Sequence, residues 1–171
     1  MNRILTVEEL KSNISYDKQT GIFTRIKNHP KRKYLAGSVT GVARPDGYVQ
    51  VMIAGKIFLA HRLAWLYVYG EMPKHYIDHI NGIKNDNRIE NLRDVRQTIN
   101  LQNQTKAKKN RTSSSKLGVS FANQGKNKDK PFRSRIVVDK KEIHLGMFSG
   151  ENEAHEAYLQ AKRKYHEGCT I

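Results

Sequence analysis

Residues 105–116, TKAKKNRTSSSK, hold one apolar side chain, Ala107, in twelve positions. A stretch without apolar periodicity has no face to bury, so it reads as a linker. The chain is therefore expected to fold as two bodies, residues 1–104 and residues 117–171, on either side of it. Its 171 residues are enough for one ordinary domain or two small ones. The basic linker reads equally as a solvated tether or as a run of charge laid along a phosphate backbone.

Lys and Arg total 31 against 16 Asp and Glu, a formal net charge of +15. Such an excess implies attraction to a polyanion and salt-sensitive binding. Anionic membrane is the weaker partner. No stretch approaches the roughly 20 apolar residues of a spanning helix, and the most apolar run, Ile57 to Tyr69, is broken by His61 and Arg62. MNRILTVEEL at the start lacks the long apolar centre of a secretory signal. Cys169 is the single cysteine, which excludes an internal disulfide and a cysteine-rich zinc cage. A reducing, cytosolic compartment fits.

Thr6 followed by Glu9 is a capping-box signature for a short helix through Leu10 and Lys11. Asp17 to Gly21 reads as a turn into a strand at Ile22 to Ile26. Residues 27–47, with Pro30, Gly37, Gly41, Pro45 and Gly47, read as loop. Tyr48 to Ile53 alternates as a strand. Ala54-Gly55 turns it, and Ile57 and Leu59 return on a second strand. Arg62 to Tyr69 reads as a helix stopped by Gly70. The segment from His75 then reads as strand, loop, short strand and helix.

Beyond the linker, Gly118 to Phe121, Phe132 to Val138 and Glu142 to Phe148 read as three strands. A helix follows from about Glu151 to His166, with Ser149 as its cap. Its apolar stripe is Ala154, Ala157, Tyr158, Ala161 and Tyr165, and Gly168 ends it. Glu151 and Glu153 at its start and Lys162, Arg163, Lys164 and His166 at its end match the helix dipole. The fold class expected is α+β.

The chemistry concentrates in HYIDHINGIKNDNRIENLRDVRQTINLQNQ, residues 75–104. Hydrolysing a phosphodiester needs a base for the attacking water and positive charge for the phosphorane and the leaving 3′-oxygen. A neutral imidazole can serve the first and one Mg²⁺-like ion the others. Magnesium prefers oxygen ligands and keeps several waters, so Asp78 and Asn100 with phosphate oxygens would suffice. His79, with an unperturbed pKa of about 6.5, can be neutral at working pH. Adjacent strand residues point to opposite faces, so Asp78 and His79 can share one phosphate only if the strand bends or ends there. Asn81-Gly82, a turn pair, follows directly. The Asn91 amide could then lock the loop that orients His79. Asn103 and Gln104 share a helix face with Asn100 and could touch DNA. His61 reads as a buried structural imidazole, His144 as a sheet-surface residue and Asp86 as a loop-turn residue.

Asp78-His79, Asn-Leu-Arg at 91–93, Ile-Asn at 99–100 and Gln-Asn-Gln at 102–104, with HRLAW at 61–65 upstream, resemble the HNH (ββα-metal) endonucleases. The likeness is to the phage homing branch in which asparagine replaces the last histidine, and it covers roughly residues 1–104. It implies a ββα-metal core at about 75–104, with His79 as general base, Asp78 and Asn100 as metal ligands and Asn91 holding the loop. It also implies Mg²⁺, with Mn²⁺ as a substitute, and products with a 5′-phosphate and a 3′-hydroxyl. The setting implied is the cytoplasm of a bacterial or phage-infected cell. Arg96 departs from the pattern, standing where relatives often carry a helix-capping Thr.

Gly118-Val119, Phe132 to Ile136, His144-Leu145-Gly146, Phe148 and the Ala154, Ala157, Tyr158, Ala161 stripe resemble the Apetala/ethylene-response-factor DNA-binding domain. The resemblance implies a three-stranded antiparallel sheet packed on one helix and laid in the major groove of double-stranded DNA. Arg133, Arg135 and Lys141 would be the foremost contacts, with Lys116, Lys140 and Ser120 behind them. Leu117 and Ser120 stand where the plant domains carry arginines, and the sheet tryptophans are missing. One site per chain would nick as a monomer and cut both strands as a homodimer or in two events. The rival readings are a DNA-binding regulator with an inactive site and an RNA-directed nuclease.

Overall fold

The computed structural model describes residues 5–28, 34–104, 114–122 and 129–170. The expected linker lies outside the described residues except for 114–116, as does Pro30 of the 27–47 loop. The chain divides into two compact units, Met1–Gln97 and Thr98–Ile171. Among the described residues no helix is long and apolar enough to cross a membrane.

The first unit opens with α1 (Val7–Asn13). Thr6 caps it as its sequence implies: the Glu9 backbone N–H donates to Thr6 Oγ1 at 3.2 Å. β1 (Ile14–Tyr16) and β2 (Phe23–Arg25) form a hairpin, extended by β3 (Val39–Thr40). β4 (Val42–Ala43), β5 (Val49–Ile53) and β6 (Lys56–Leu59) form a second antiparallel sheet. The β5–β6 hairpin turns at Ala54-Gly55, both at positive φ. α2 (Ala60–Tyr69) follows with no intervening loop and ends at Gly70, whose N–H donates to the Leu66 carbonyl at 2.9 Å. α2 begins two residues earlier than expected, so His61 belongs to its first turn rather than to the end of a strand. β7 (Tyr76–His79) then pairs antiparallel with β8 (Leu92–Val95), reached through a single 3-10 turn at Ile89–Asn91. The core gathers Leu10, Ile14, Phe23, Val51, Leu63, Ile77 and Leu92, so it binds α1, α2 and all the larger strands to β7 and β8. α3 (Gln97–Gln102) begins directly after Arg96.

The second unit holds β9 (Val119–Phe121), β10 (Phe132–Val138) and β11 (Lys141–Phe148) in the order β11-β10-β9, all antiparallel. Asp139 and Lys140, both at positive φ, make the two-residue turn between β10 and β11. α4 (Glu151–Tyr165) packs on the sheet through Ala154, Tyr158 and Ala161. The cap of α4 is Gly150, not Ser149: the Ser149 hydroxyl donates to Glu153 Oε2 at 3.1 Å, leaving no side-chain bond to the helix backbone. Tyr165 is exposed rather than part of the stripe. Lys162 takes a buried position instead, its ammonium donating to the Gln104 carbonyl at 2.5 Å. The helix closes at His166, two residues before Gly168.

Gly118, expected within a strand, instead precedes β9 with φ +77. A Cβ there would fall 1.9 Å from Tyr158 Cδ2, so the helix seats its ring on bare backbone. Gly118→Ala combines left-handed strain with a clash against a buried ring. We expect it to destabilise the second unit by more than about 3 kcal/mol in chemical denaturation, against about 1–2 kcal/mol for Gly37→Ala, which shares the left-handed strain but meets no neighbour within 4 Å.

Candidate active site

β7 runs in regular register, Asp78 opposite Arg93 and His79 opposite Leu92, and stops at His79. The Gly82 N–H donates to the His79 carbonyl at 2.9 Å, and Ile83 N–H to Asn81 Oδ1 at 2.8 Å. The Asn81-Gly82 pair thus ends the strand where the sequence places the turn.

Asn91 fastens the loop that follows. Its Oδ1 accepts from Asn81 N at 2.9 Å, its Nδ2 donates to the Asp86 carbonyl at 2.8 Å, and its own carbonyl accepts from Ile80 N at 2.9 Å. Asn91 is 5 % exposed. Asp86 reinforces the same loop. It accepts from Asn81 Nδ2 at 2.7 Å and from Arg88 Nε and Nη2 at 2.9 and 2.8 Å, and these bonds hold its carboxyl down near a pKa of about 2. Tyr16 of β1 donates to the Asn87 carbonyl at 2.7 Å, so the N-terminal hairpin holds the loop from outside. Gly21 makes that approach possible, since a Cβ would lie 2.6 Å from Asn87 C and Arg88 N.

The Asp78 carboxylate is buried and faces its cross-strand neighbour. Arg93 Nε and Nη2 reach Asp78 Oδ2 at 2.8 and 2.7 Å. His79 is buried beside two rings: His61 packs edge-on with centroids 5.2 Å apart, and Tyr48 lies 5.9 Å away. Burial lowers the His79 pKa, opposed by the Asn87 side chain and the Asp78 and Asp86 charges, and aided by Lys84. The imidazole is therefore held neutral at neutral pH, the state a general base requires. Burial drives His61 further, to about 3, and its Nδ1 has no hydrogen-bond partner among the described residues. This agrees with a structural role for that ring. Arg93, Tyr48, Tyr16, Asn87 and Lys84 carry much of the site and were not singled out from sequence. Only Arg93 had a signal, its place opposite Asp78 once β7 and β8 are paired.

Asn100 lies on α3, in the second unit, half-buried. Asn103 does not present its amide on an open face. It is 5 % exposed, and its Oδ1 accepts from the Thr170 hydroxyl. Gln104 is half-buried with its carbonyl taken by Lys162. Within the first unit, Asp78 offers a carboxylate oxygen, the donor type of a hard divalent cation. Among the described residues no group of three His, Cys, Asp or Glu side chains is placed to hold a metal ion.

On the second sheet, β10 alternates Ser134 and Ile136 inward with Arg133 and Arg135 outward. Arg133 stands opposite Ser120 and donates to its hydroxyl at 3.4 Å. Arg135 pairs with Glu142 at 2.8 Å, both half-exposed or nearly so. Lys140 and Lys141 are exposed at the β10–β11 turn, and Lys116 is half-buried ahead of β9. His144 is exposed opposite Arg135, a sheet-surface residue as its sequence suggests.

Residues 58–102 match the family model of HNH endonucleases, from β6 through α3. No curated protein and no solved structure matches the chain. The match supports an HNH nuclease acting on nucleic acid, and HNH nucleases typically use a divalent metal.

Two outcomes follow from the buried charges. Arg93→Met leaves the Asp78 carboxylate buried without its guanidinium and should cost about 3 kcal/mol in denaturant unfolding, much of it recovered in Arg93→Met/Asp78→Asn. His61 has a folded pKa below its unfolded one, so its contribution is complete above about pH 6.5 and is lost as pH falls toward about 3. Thermal unfolding of His61→Phe across that range should show a smaller acid loss than the parent chain.

Proposed function

We propose that the chain is a metal-dependent DNA endonuclease of the HNH homing type, with a C-terminal Apetala/ethylene-response-factor-like module, residues 117–171, that selects the target. The reading rests on one observation above the rest. A buried imidazole, held neutral, closes β7 beside a carboxylate and a loop fastened by Asn91.

In this reading His79 takes a proton from water, and the resulting hydroxide attacks the phosphorus. The P–O3′ bond breaks, and the departing oxygen takes a proton from a solvent water, leaving a 5′-phosphate and a 3′-hydroxyl. Asn91 fixes the backbone that aims His79. Asp78 and Asn100 would hold the metal, Mg²⁺ or Mn²⁺, which would supply positive charge for the phosphorane and the departing oxygen. Arg93 orients the Asp78 carboxylate through Nε and Nη2. In the second unit Arg133, Arg135 and Lys141, with Lys116, Lys140 and Ser120, read double-stranded DNA from the sheet. A bidentate Arg on guanine discriminates by about 1–3 kcal/mol. Glu142 must release Arg135 for that contact to form.

The Arg93 grip on Asp78 favours one rival, a DNA-binding regulator whose carboxylate is no longer offered to a metal. Supercoiled plasmid with Mg²⁺ separates the two. A nuclease converts it to nicked or linear form, whereas survival of the supercoil with binding intact establishes the regulator. His79→Ala should slow cutting at least about 100-fold while plasmid affinity in EDTA stays within twofold. Retention of most activity would remove His79 from the base role. Faster cutting of RNA than of duplex DNA would instead make the chain a ribonuclease.

A further inference from the structure

Several basic side chains surround the 80–90 loop, and three of them are committed to carboxylates: Arg93 to Asp78, Arg88 to Asp86 and Glu90, and Arg44 to Asp46. Lys84 is held differently. Its ammonium donates to the Asp46 carbonyl at 2.9 Å and lies 4.8 Å from the centre of the Tyr48 ring. Among the described residues no carboxylate pairs with it. Its stem crosses Gly47, where a Cβ would meet Lys84 Cδ at 3.5 Å. A neutral carbonyl and an aromatic face orient a cation without cancelling its charge.

The direction of that orientation matters. Tyr48, on whose face the ammonium sits, is the ring that packs against both His61 and His79. Lys84 also lies in the loop that Asn91 locks to the end of β7. A solvated surface lysine would have neither a fixed stem nor a place in the wall of the imidazole. The Asp46 carboxylate feels the Lys84 charge but is engaged by Arg44 Nε and Nη2 at 3.2 and 3.0 Å, and Asp86, two residues along the chain, is engaged by Arg88 Nε and Nη2 at 2.9 and 2.8 Å, so neither carboxylate forms an ion pair with the ammonium.

We propose that Lys84 is a phosphate-binding residue of the His79 site, gripping a backbone phosphate of the nucleic acid beside the scissile linkage. The proposal rests on the nuclease reading for its substrate. The exposed ammonium would exchange the Asp46 carbonyl for, or share it with, a phosphate oxygen, while the Tyr48 face keeps it in place. Arg93, half-buried and bound to Asp78, has no such freedom.

The test is the salt dependence of binding to a fluorescein-labelled DNA duplex in EDTA, where no cutting occurs. Each phosphate contact contributes about 0.9 to the slope of log affinity against log salt. Lys84→Met keeps the stem over Gly47 and removes the charge. It should lower the slope by about 0.9 with an unchanged thermal midpoint, and Lys84→Arg should restore it. Lys84→Gln gives the same reading should Lys84→Met fail to fold. In Mg²⁺, plasmid cutting by Lys84→Met should fall about tenfold through a raised KM. An unchanged slope overturns the proposal, even with activity lost, because a lysine that only braces the loop to the β4–β5 hairpin displaces no counterion. If the parent chain fails to cut plasmid but the slope still drops in Lys84→Met, the nuclease reading fails and the phosphate contact stands.

Discussion

The Asn91 carboxamide ties the site together. A nine-residue excursion between β7 and the 3-10 turn would ordinarily have many conformations, and its closure carries an entropic cost. Asn91 joins its two ends and its middle through three hydrogen bonds, each worth about 1 kcal/mol net and more if broken in a buried place. The β7 terminus, the Asn81-Gly82 turn and the Asp86–Arg88 pair all refer back to that one residue, the first through its backbone carbonyl. The imidazole at the end of β7 has a defined place because the chain after it does.

Around this clamp the charges are arranged by burial. Asp78 is neutralised by a guanidinium directly across the ladder, and His79 is kept neutral by rings. A carboxylate and an imidazole that are neighbours in sequence thus have different partners, one ionic and one apolar. This is how a single strand end can keep a charged oxygen donor beside an uncharged nitrogen base.

Much of this was legible in the sequence because it follows local rules. Thr6 with Glu9, Ala54-Gly55, Gly70 and Asn81-Gly82 punctuate the chain where residue chemistry demands it, and α4 declares itself by charge and apolar stripe. The spacing of Asp78, His79 and Asn91 marked the loop and its clamp. What escaped depends on contacts distant in sequence. β1, β3 and β4 are too short to show a period. The Tyr16 hydroxyl finds the Asn87 carbonyl 71 positions away, and Lys84 reaches back 38 positions to Asp46. Asn103 and Lys162 were misplaced because helix periodicity describes one helix alone, while their burial is set by segments that pack on it. Gly118 looked like a strand residue because nothing local reveals the Tyr158 ring above it.

The short helix after β8 is held from the far end of the chain. Lys162 bonds the carbonyl of Gln104, Thr170 meets the Asn103 side chain, and the Gly168 N–H donates to Gln102 Oε1 at 3.0 Å, with room for no side chain against the Ile99 carbonyl. The carboxyl-terminal residues are therefore scaffolding for a helix encoded 58 to 67 positions earlier. Replacing the chain beyond residue 105 would also remove these supports, so any such graft must carry the matching tail with it.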